Sequence, residues 1–280
     1  MIVTYNGAFM PKDSVRISPD DRGFLLADGV YEVICAWNGK LFQEESHFTR
    51  LARSLDALRI PTPDLAALRS ACTKLLAVNH LQQGGGKVYI QITRGVAPRG
   101  HAFPSADIQP TVYASASPYT PPRDYWESGV SAIVIPDIRW ARCDIKSLAL
   151  LPNVLASQRA AEAGAYDSIL VRDGVVTEGS HTSVCAILGG CLQTHPLTHH
   201  ILGSVTRDTV LSLCATLSIP VRESPILEQS LASASEVMFL GTTTGVMPVV
   251  TIGGAPVGQG TPGPITRRLQ AALHAMMLGD

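Results

Sequence analysis

The sequence predicts an α+β fold in two domains, built from antiparallel or mixed sheets with helices packed on them. Three observations carry that expectation. Two Asn-Gly pairs near the start, in "VTYNGAF" and "VICAWNGKLF", sit between apolar residues and signal tight hairpins, because Asn and Gly tolerate the positive φ such turns need. Helical-period segments follow these hairpins in blocks rather than alternating regularly with strands, so a regular βαβ order is not expected. Midway, "SPYTPPRDYWES" places three prolines and several polar residues between two strand-like segments, the pattern of a linker. At 280 residues, 46% hydrophobic and 16% charged, the chain can bury a sizeable core and is not disordered in character. The expected division is a small N-terminal domain over residues 1–118, a linker over 119–125, and a larger C-terminal domain over 126–280.

The elements follow in order. A helix is expected near Glu45–Leu58, where His47, Leu51, Leu55 and Leu58 recur at helical spacing. Another is expected near Pro63–Asn79, ended by the glycines of "QQGGGK". "KVYIQITRG" and "PTVYASAS" alternate as strands do. Beyond the linker, "GVSAIVI" predicts a strand, Asn153–Ala163 a helix, and "YDSILVRDGVVTEGS" a hairpin turning at Asp173-Gly174. Helices near Thr206–Leu217 and Thr261–Met277 complete the pattern. There is no fixed-period repeat, no GxGxxG and no P-loop.

Composition narrows the function classes. A formal net charge of −1 with no basic cluster argues against nucleic acid or acidic membranes as partners. The start lacks a basic region followed by an apolar one, and no apolar run approaches the roughly 20 residues of a spanning helix. A cytoplasmic protein is expected. The six cysteines are scattered without a CxxC pair and are expected to be reduced and mostly buried. His195, His199 and His200 lie close in sequence, but Pro196 disfavours the helix that would align the first two. No metal site is expected.

The residues that carry chemistry are spread along the chain. "RCDIKSLALL" puts Lys146 at the mouth of an apolar run. It is either a lysine snorkelling from a strand end or a desolvated amine able to form a Schiff base with an aldehyde. If the stretch is a strand, alternation puts Arg142 and Asp144 on the face of Lys146. The apolar run would keep water from its amine. "GSVTRDTVL" runs from Gly203 and Ser204 straight into a helix, whose first N–H groups and dipole attract a phosphate; Ser204 or Thr206 could equally be only an N-cap. "LGTTTGVMP" offers the hydroxyls of Thr242, Thr243 and Thr244 between Gly241 and Gly245, or simply a strand end. Arg50 in "HFTRL" is either a solvated helix face or an anion contact. Glu178 in "VTEGS" is either an exposed strand-end carboxylate or the partner of a heterocyclic nitrogen. In that role, each pKa unit it adds to the nitrogen is worth ~1.4 kcal/mol. "ITRGVAPRGHAFP" gathers Arg94, Arg99 and His101 on a loop shaped by Gly and Pro, suited to capturing a small carboxylate.

Together these segments resemble the fold-type IV pyridoxal-phosphate-dependent transaminases of the branched-chain aminotransferase-like superfamily, and within them the D-amino-acid transaminases. The stretches "DRGFLLADGVYEV", "HFTRL", "TRGVAPRGHAFP", "IRWARCDIKSLALLPNVLA", "VTEGS", "THPLTHHILGSVTRD" and "GTTTGVMPV" match in family order from about Asp21 to Val249. The resemblance implies a two-domain fold-type IV enzyme with its active site between the domains and pyridoxal 5′-phosphate as cofactor. Lys146 corresponds to the catalytic lysine that tethers the cofactor and then moves the substrate α-proton. The C-terminal domain is expected to carry it. Glu178 corresponds to the partner of the pyridine nitrogen. Arg50, Thr206, Thr242 and the backbone N–H of Val205 correspond to phosphate contacts, and Leu202 to the side chain packed on the ring. Tyr31, Arg99 and His101 correspond to the trap for the substrate carboxylate, with the Arg/His loop supplied by the other subunit of a homodimer.

The chain departs from the family pattern in two places. "EGSHTSVC" puts Thr182, Ser183 and Cys185 where the family has other residues and lacks an amide that helps fix the loop. Gly241 replaces a common serine, removing one phosphate hydroxyl. The implied reaction moves an amino group between a D-amino acid of the D-alanine or D-glutamate type and a 2-oxo acid such as pyruvate or 2-oxoglutarate. Within the same fold the alternatives are an (R)-selective amine transaminase, a branched-chain transaminase and an aminodeoxychorismate lyase. Outside catalysis, the alternative is a protein that only binds the cofactor. "DGVYEVICAW" lacks the FEG-x-R segment usual in branched-chain enzymes, and the RGH loop is normally absent from the lyase.

Overall fold

The computed structural model describes residues 1–278. By its internal contacts the chain separates into two compact units. One holds Met1–Thr120 together with Ile145–Ala149; the other holds Pro121–Asp144 and the chain from Leu150 onward.

The first unit is built on β1 (Ile2–Tyr5), β2 (Ala8–Pro11), the short α1 (Arg22–Leu26), β3 (Gly29–Trp37), β4 (Lys40–Leu41), α2 (Glu44–Ala57), α3 (Leu65–Val78), β5 (Gly85–Thr93) and β6 (Thr111–Pro118). The strands form one antiparallel sheet in the order β2-β1-β6-β5-β3-β4. Both Asn-Gly turns take the expected left-handed backbone, with φ of 48° and 81° at Asn6 and Gly7 and 48° and 77° at Asn38 and Gly39. Phe48, Leu51 and Leu55 of α2 and Leu68, Cys72, Leu75 and Leu76 of α3 bury against Val30, Ile34, Val88, Ile90 and Ile92 of the sheet. Each such side chain contributes about 1.5–3 kcal/mol of transfer free energy, which the cost of ordering the chain largely offsets. The Asp64 carboxylate caps α3 by accepting from Ala67 N at 2.9 Å.

The segment Ile145–Ala149 corrects the expected domain assignment of the lysine. β4 covers only the Ala36–Trp37 end of β3, so the edge at Gly29–Tyr31 remains to be paired. Residues 146–148 take it: Tyr31 N donates to Lys146 O at 3.1 Å and Leu148 N to Gly29 O at 3.0 Å, with Val30 and Ser147 bridged. Ile145, 5% exposed, joins the first unit's core. Lys146 thus belongs to the first unit, not to the C-terminal domain where sequence order puts it. The expected linker is also shorter: Tyr119 is buried, with its N–H donating to Gly85 O, and the helix α4 (Arg123–Ser128) begins inside it.

The second unit continues from α4 with β7 (Val130–Pro136), α5 (Leu151–Glu162), β8 (Asp167–Arg172), β9 (Val175–Gly179), β10 (Ser183–Leu188), β11 (Cys191–Thr194), α6 (Val205–Thr216), β12 (Val221–Glu223), β13 (Ile226–Leu227), β14 (Glu236–Gly241), β15 (Gly245–Ile252), β16 (Ala255–Pro256) and α7 (Pro264–Leu278). The strand order is β12-β11-β10-β14-β15-β7-β8-β9-β13, and β9 also pairs with β10 through Glu178 and Ser183. That extra pairing closes β10, β14, β15, β7, β8 and β9 into a ring. β7 runs parallel to both β8 and β15, so β7-α5-β8 is a single βαβ unit that the sequence pattern does not announce. Its helix buries only Ala156 and Ala160, side chains too small to give a strong helical period. The hairpin at Asp173-Gly174 forms as expected, with φ of 51° and 74°.

Candidate active site

In the first unit, strand β3 and helix α2 surround Lys146 with charge. The lysine's backbone is held on both sides: its carbonyl accepts from Tyr31 N, and its N–H donates to Ser54 Oγ at 3.3 Å. Its Nζ lies 4.4 Å from the centre of the Tyr31 ring, within cation–π range. The residue is half-buried, and there is no strand at 137–150. Arg142 and Asp144 pair with each other at the surface, at 2.9 Å from both Nε and Nη2, rather than lying on an alternating strand face. The apolar run is no continuous screen either: Ile145 is buried, but Ala149 is exposed and Leu151 is 69% exposed.

One step along β3 from Tyr31 is Glu32, a residue the sequence reading does not single out. It is fully buried, and its oxygens accept from Arg50 Nε at 2.7 Å and Nη2 at 2.8 Å. His47 Nδ1 lies 2.8 Å from the same carboxylate. Burial pushes the Glu32 carboxyl up. The Arg50 charge and hydrogen bonds, the His47 bond and the Lys146 charge outweigh this and hold it at about 2. His47 is pushed below its ordinary value by burial first and by the Arg50 and Lys146 charges, against the pull of Glu32. Arg50 is 6% exposed, which removes the solvated-face reading. A carboxylate inside "GVYEVICAW" was the available signal, since a charge in a buried strand needs a partner.

The loop after β5 divides the residues expected to trap a carboxylate. Arg99 and His101 are exposed on it. Arg94 is not available: it is 5% exposed and bonds Asp28 through Nε at 2.7 Å and Nη2 at 3.0 Å. It also donates to the carbonyls of Arg59 and Leu58. Arg94 is therefore a structural member of the loop base, which corrects its expected role.

In the second unit, Glu178 sits at the ring closure on β9, 6% exposed. Arg139 Nη1 donates to it at 2.5 Å, while Arg139 Nε and Nη2 each hold the Asp137 carboxylate at 2.9 Å. Burial opposes the charge on both Arg139 and Asp137. The Asp137 hydrogen bond and the Glu178 and Asp137 charges nevertheless raise Arg139, and the Arg139 bond and charge lower Asp137 to about 2. Arg139 is thus a permanent cation that fixes where Glu178 stands. Ser183, the register partner of Glu178, has a buried Oγ with no hydrogen-bond partner among the described residues.

Helix α6 begins at Ser204, whose Oγ accepts from Arg207 N at 3.2 Å. The N–H groups of Val205 and Thr206 at the first turn have no intrahelical acceptor, the arrangement that favours an anion. Leu202 and Thr242 are half-buried, and Thr206 is buried. The Gly241–Gly245 turn is closed by Thr244 N donating to Gly241 O at 3.2 Å. The two departures from the family pattern are neighbours. A Cβ at Gly241 would come within 3.2 Å of Thr244 Oγ1 and 3.5 Å of Thr182 Cγ2. Thr182 Oγ1 in turn donates to Asp167 at 3.1 Å, which ties down the loop that lacks the family's amide.

The second unit therefore offers an open helix start with nearby threonine hydroxyls, and a carboxylate held in place beside an unpartnered hydroxyl. These suit a phosphate and a heterocyclic nitrogen. The first unit offers an amine on an aromatic ring. Among the described residues no group of three or more His, Cys, Asp or Glu stands together as a metal-ligand set. No helix there is long and apolar enough to cross a membrane.

The sequence model of the amino-transferase class IV family matches residues 29–252. The chain belongs to this family of pyridoxal-phosphate-dependent aminotransferases. It is 42% identical over 273 residues to a D-alanine aminotransferase of Staphylococcus haemolyticus, covering 97% of this chain and 96% of that one. It is 41% identical to a D-alanine aminotransferase of Bacillus licheniformis, covering 100% of this chain and 98% of the other. Among solved structures it resembles a branched-chain amino acid aminotransferase of Escherichia coli, with a TM-score of 0.92 at 25% identity over 99% of this chain and 95% of that one. The fold is that of the fold-type IV aminotransferases.

Proposed function

We propose that this chain transfers the amino group of a D-amino acid, of the D-alanine or D-glutamate type, to a 2-oxo acid such as pyruvate or 2-oxoglutarate. The observation that carries the reading is the Lys146 amine, held by a fixed backbone against Tyr31 and beside the Glu32–Arg50 pair. Identity above 40% to two D-alanine aminotransferases over nearly the whole chain supports the D-specific substrate.

When bound, pyridoxal phosphate supplies an aldehyde that takes the amino group and a ring that accepts electron density from the substrate Cα. Lys146 would hold the cofactor, and its free amine would take the substrate α-proton and return it. Glu178, fixed by Arg139, would partner the ring nitrogen. Arg50, Thr206, Thr242 and the Val205 N–H would hold the phosphate, and Leu202 would contact the ring. Tyr31, Arg99 and His101 hold the substrate carboxylate, with the Arg99/His101 loop reaching the site of the other subunit in a homodimer. The protein works in the cytoplasm on small amino and 2-oxo acids.

Parallel assays with 2-oxoglutarate and D-alanine, L-leucine or the two 1-phenylethylamine enantiomers separate this reading from its relatives. D-alanine is expected to exceed L-leucine in kcat/KM by at least about 100-fold, roughly 3 kcal/mol of discrimination. A preference for L-leucine would refute the D-specific reading.

A further inference from the structure

We propose that Arg22 is a positioning residue for the substrate carboxylate, acting as a buried strut under the Arg99/His101 loop. The proposal rests on the reading of those two residues as the carboxylate trap. Arg22 is 3% exposed, although it lies on a five-residue surface turn of helix. Its Nη1 donates to the carbonyl of Gly100 at 2.7 Å, and its Nε to Asp28 Oδ2 at 2.8 Å. Gly100 is the residue between Arg99 and His101, so this bond fixes the backbone from which both trap side chains leave.

The rest of the cluster gives the strut a fixed footing. Asp28 also accepts from Arg94, which is bonded to the carbonyls of Leu58 and Arg59 at the end of α2. The base of the loop is held by main-chain bonds, Arg22 N to Gly95 O at 2.9 Å and Ala97 N to Asp20 O at 3.3 Å. Beyond it, Val96 and Pro98–Phe103 are exposed. Among the described residues, the Arg22 side chain bonds the middle of this run at Gly100, while Arg94 and Arg59 stack on the Phe103 ring at its far end, 3.8 and 4.9 Å from the ring centre. The planar guanidinium suits the task, because one group must meet an acid on one edge and a carbonyl on another. A lysine ammonium can keep the Asp28 pair but cannot span both partners.

Without the strut the loop must be ordered anew each time a carboxylate binds, which weakens binding rather than chemistry. In the holoenzyme, Arg22→Met is expected to raise KM for D-alanine and Ki for propionate, an unreactive carboxylate, by about tenfold; a charge-assisted hydrogen bond is typically worth at least that factor. Arg22→Lys should move both constants in the same direction and decides the question if the methionine variant does not fold. The kcat, the visible cofactor band and reductive trapping of Lys146 should stay within about twofold of the parent, a split that a merely structural role would not give. Arg99→Met is the control. If it raises Ki while the Arg22 variants do not, the strut is overturned and the trap stands. If none of the three variants changes Ki, the trap reading falls and the strut with it. A rise in Ki accompanied by loss of the cofactor band in both Arg22 variants also overturns the proposal.

Discussion

Lys146→Ala is expected to lower turnover with D-alanine by at least about 10³-fold while the protein stays folded. The prediction divides side chain from backbone. The bonds that fix this segment are main-chain ones, Tyr31 N to Lys146 O and Leu148 N to Gly29 O, and Ile145 supplies the buried anchor. None of them uses the amine, so alanine keeps the edge pairing with β3. The Lys146 charge does help keep Glu32 ionised, but Arg50 contributes two hydrogen bonds as well as a charge. The stability loss should therefore be small. Far-UV circular dichroism and a melting curve check the fold, and ordinary activity in a folded variant would contradict the assignment.

In the cofactor-free protein, Glu32→Gln is expected to cost about 3–5 kcal/mol of stability, because it takes the buried carboxylate charge away from the nearly buried Arg50 guanidinium. For a chain of this size that corresponds to a fall in Tm on the order of 10 °C. The pH dependence has a definite sign. Glu32 titrates at about 2 in the folded protein against an ordinary 4.5, so the unfolded chain binds its proton first as pH falls. The contribution is complete above pH 4.5 and is lost as the pH drops toward 2. Asp137, also held at about 2 from an ordinary 3.8, loses its contribution in an overlapping window. His47, held below 6.5, adds a loss that begins at higher pH. Chemical denaturation of parent and variant from pH 7 to pH 3 should show the gap between them narrowing with acid. A gap that widens, or a loss below about 1 kcal/mol at pH 7, would contradict the buried-pair reading.

What the sequence discloses here depends on how local the cause is. The Asn-Gly turns are dictated by backbone φ at the turn itself, and both formed where the pattern put them. Helices α2, α3 and α6 follow from apolar period, with local caps by Asp64 on α3 and Ser204 on α6, and their ends shift only slightly. The misplaced features depend on distant partners. Lys146 sits with the first unit because Ile145–Leu148 pairs with an edge left open more than a hundred residues earlier. Arg94 and Arg99 look alike in one loop, but Asp28 claims the first. Arg139, which fixes Glu178, is visible in sequence only as a cation seven residues before the lysine. Several barrel strands, such as "EVMFLG", are nearly continuous apolar runs without alternation, so period alone does not mark them.

The most direct measurement of the central assignment is borohydride reduction of the holoenzyme followed by peptide mapping. The visible cofactor band should bleach, and the pyridoxyl mass should appear on Lys146 alone among the chain's lysines. Label on Lys12, Lys40, Lys74 or Lys87 instead, or no label at all in a protein that shows the band, would contradict the role given to Lys146.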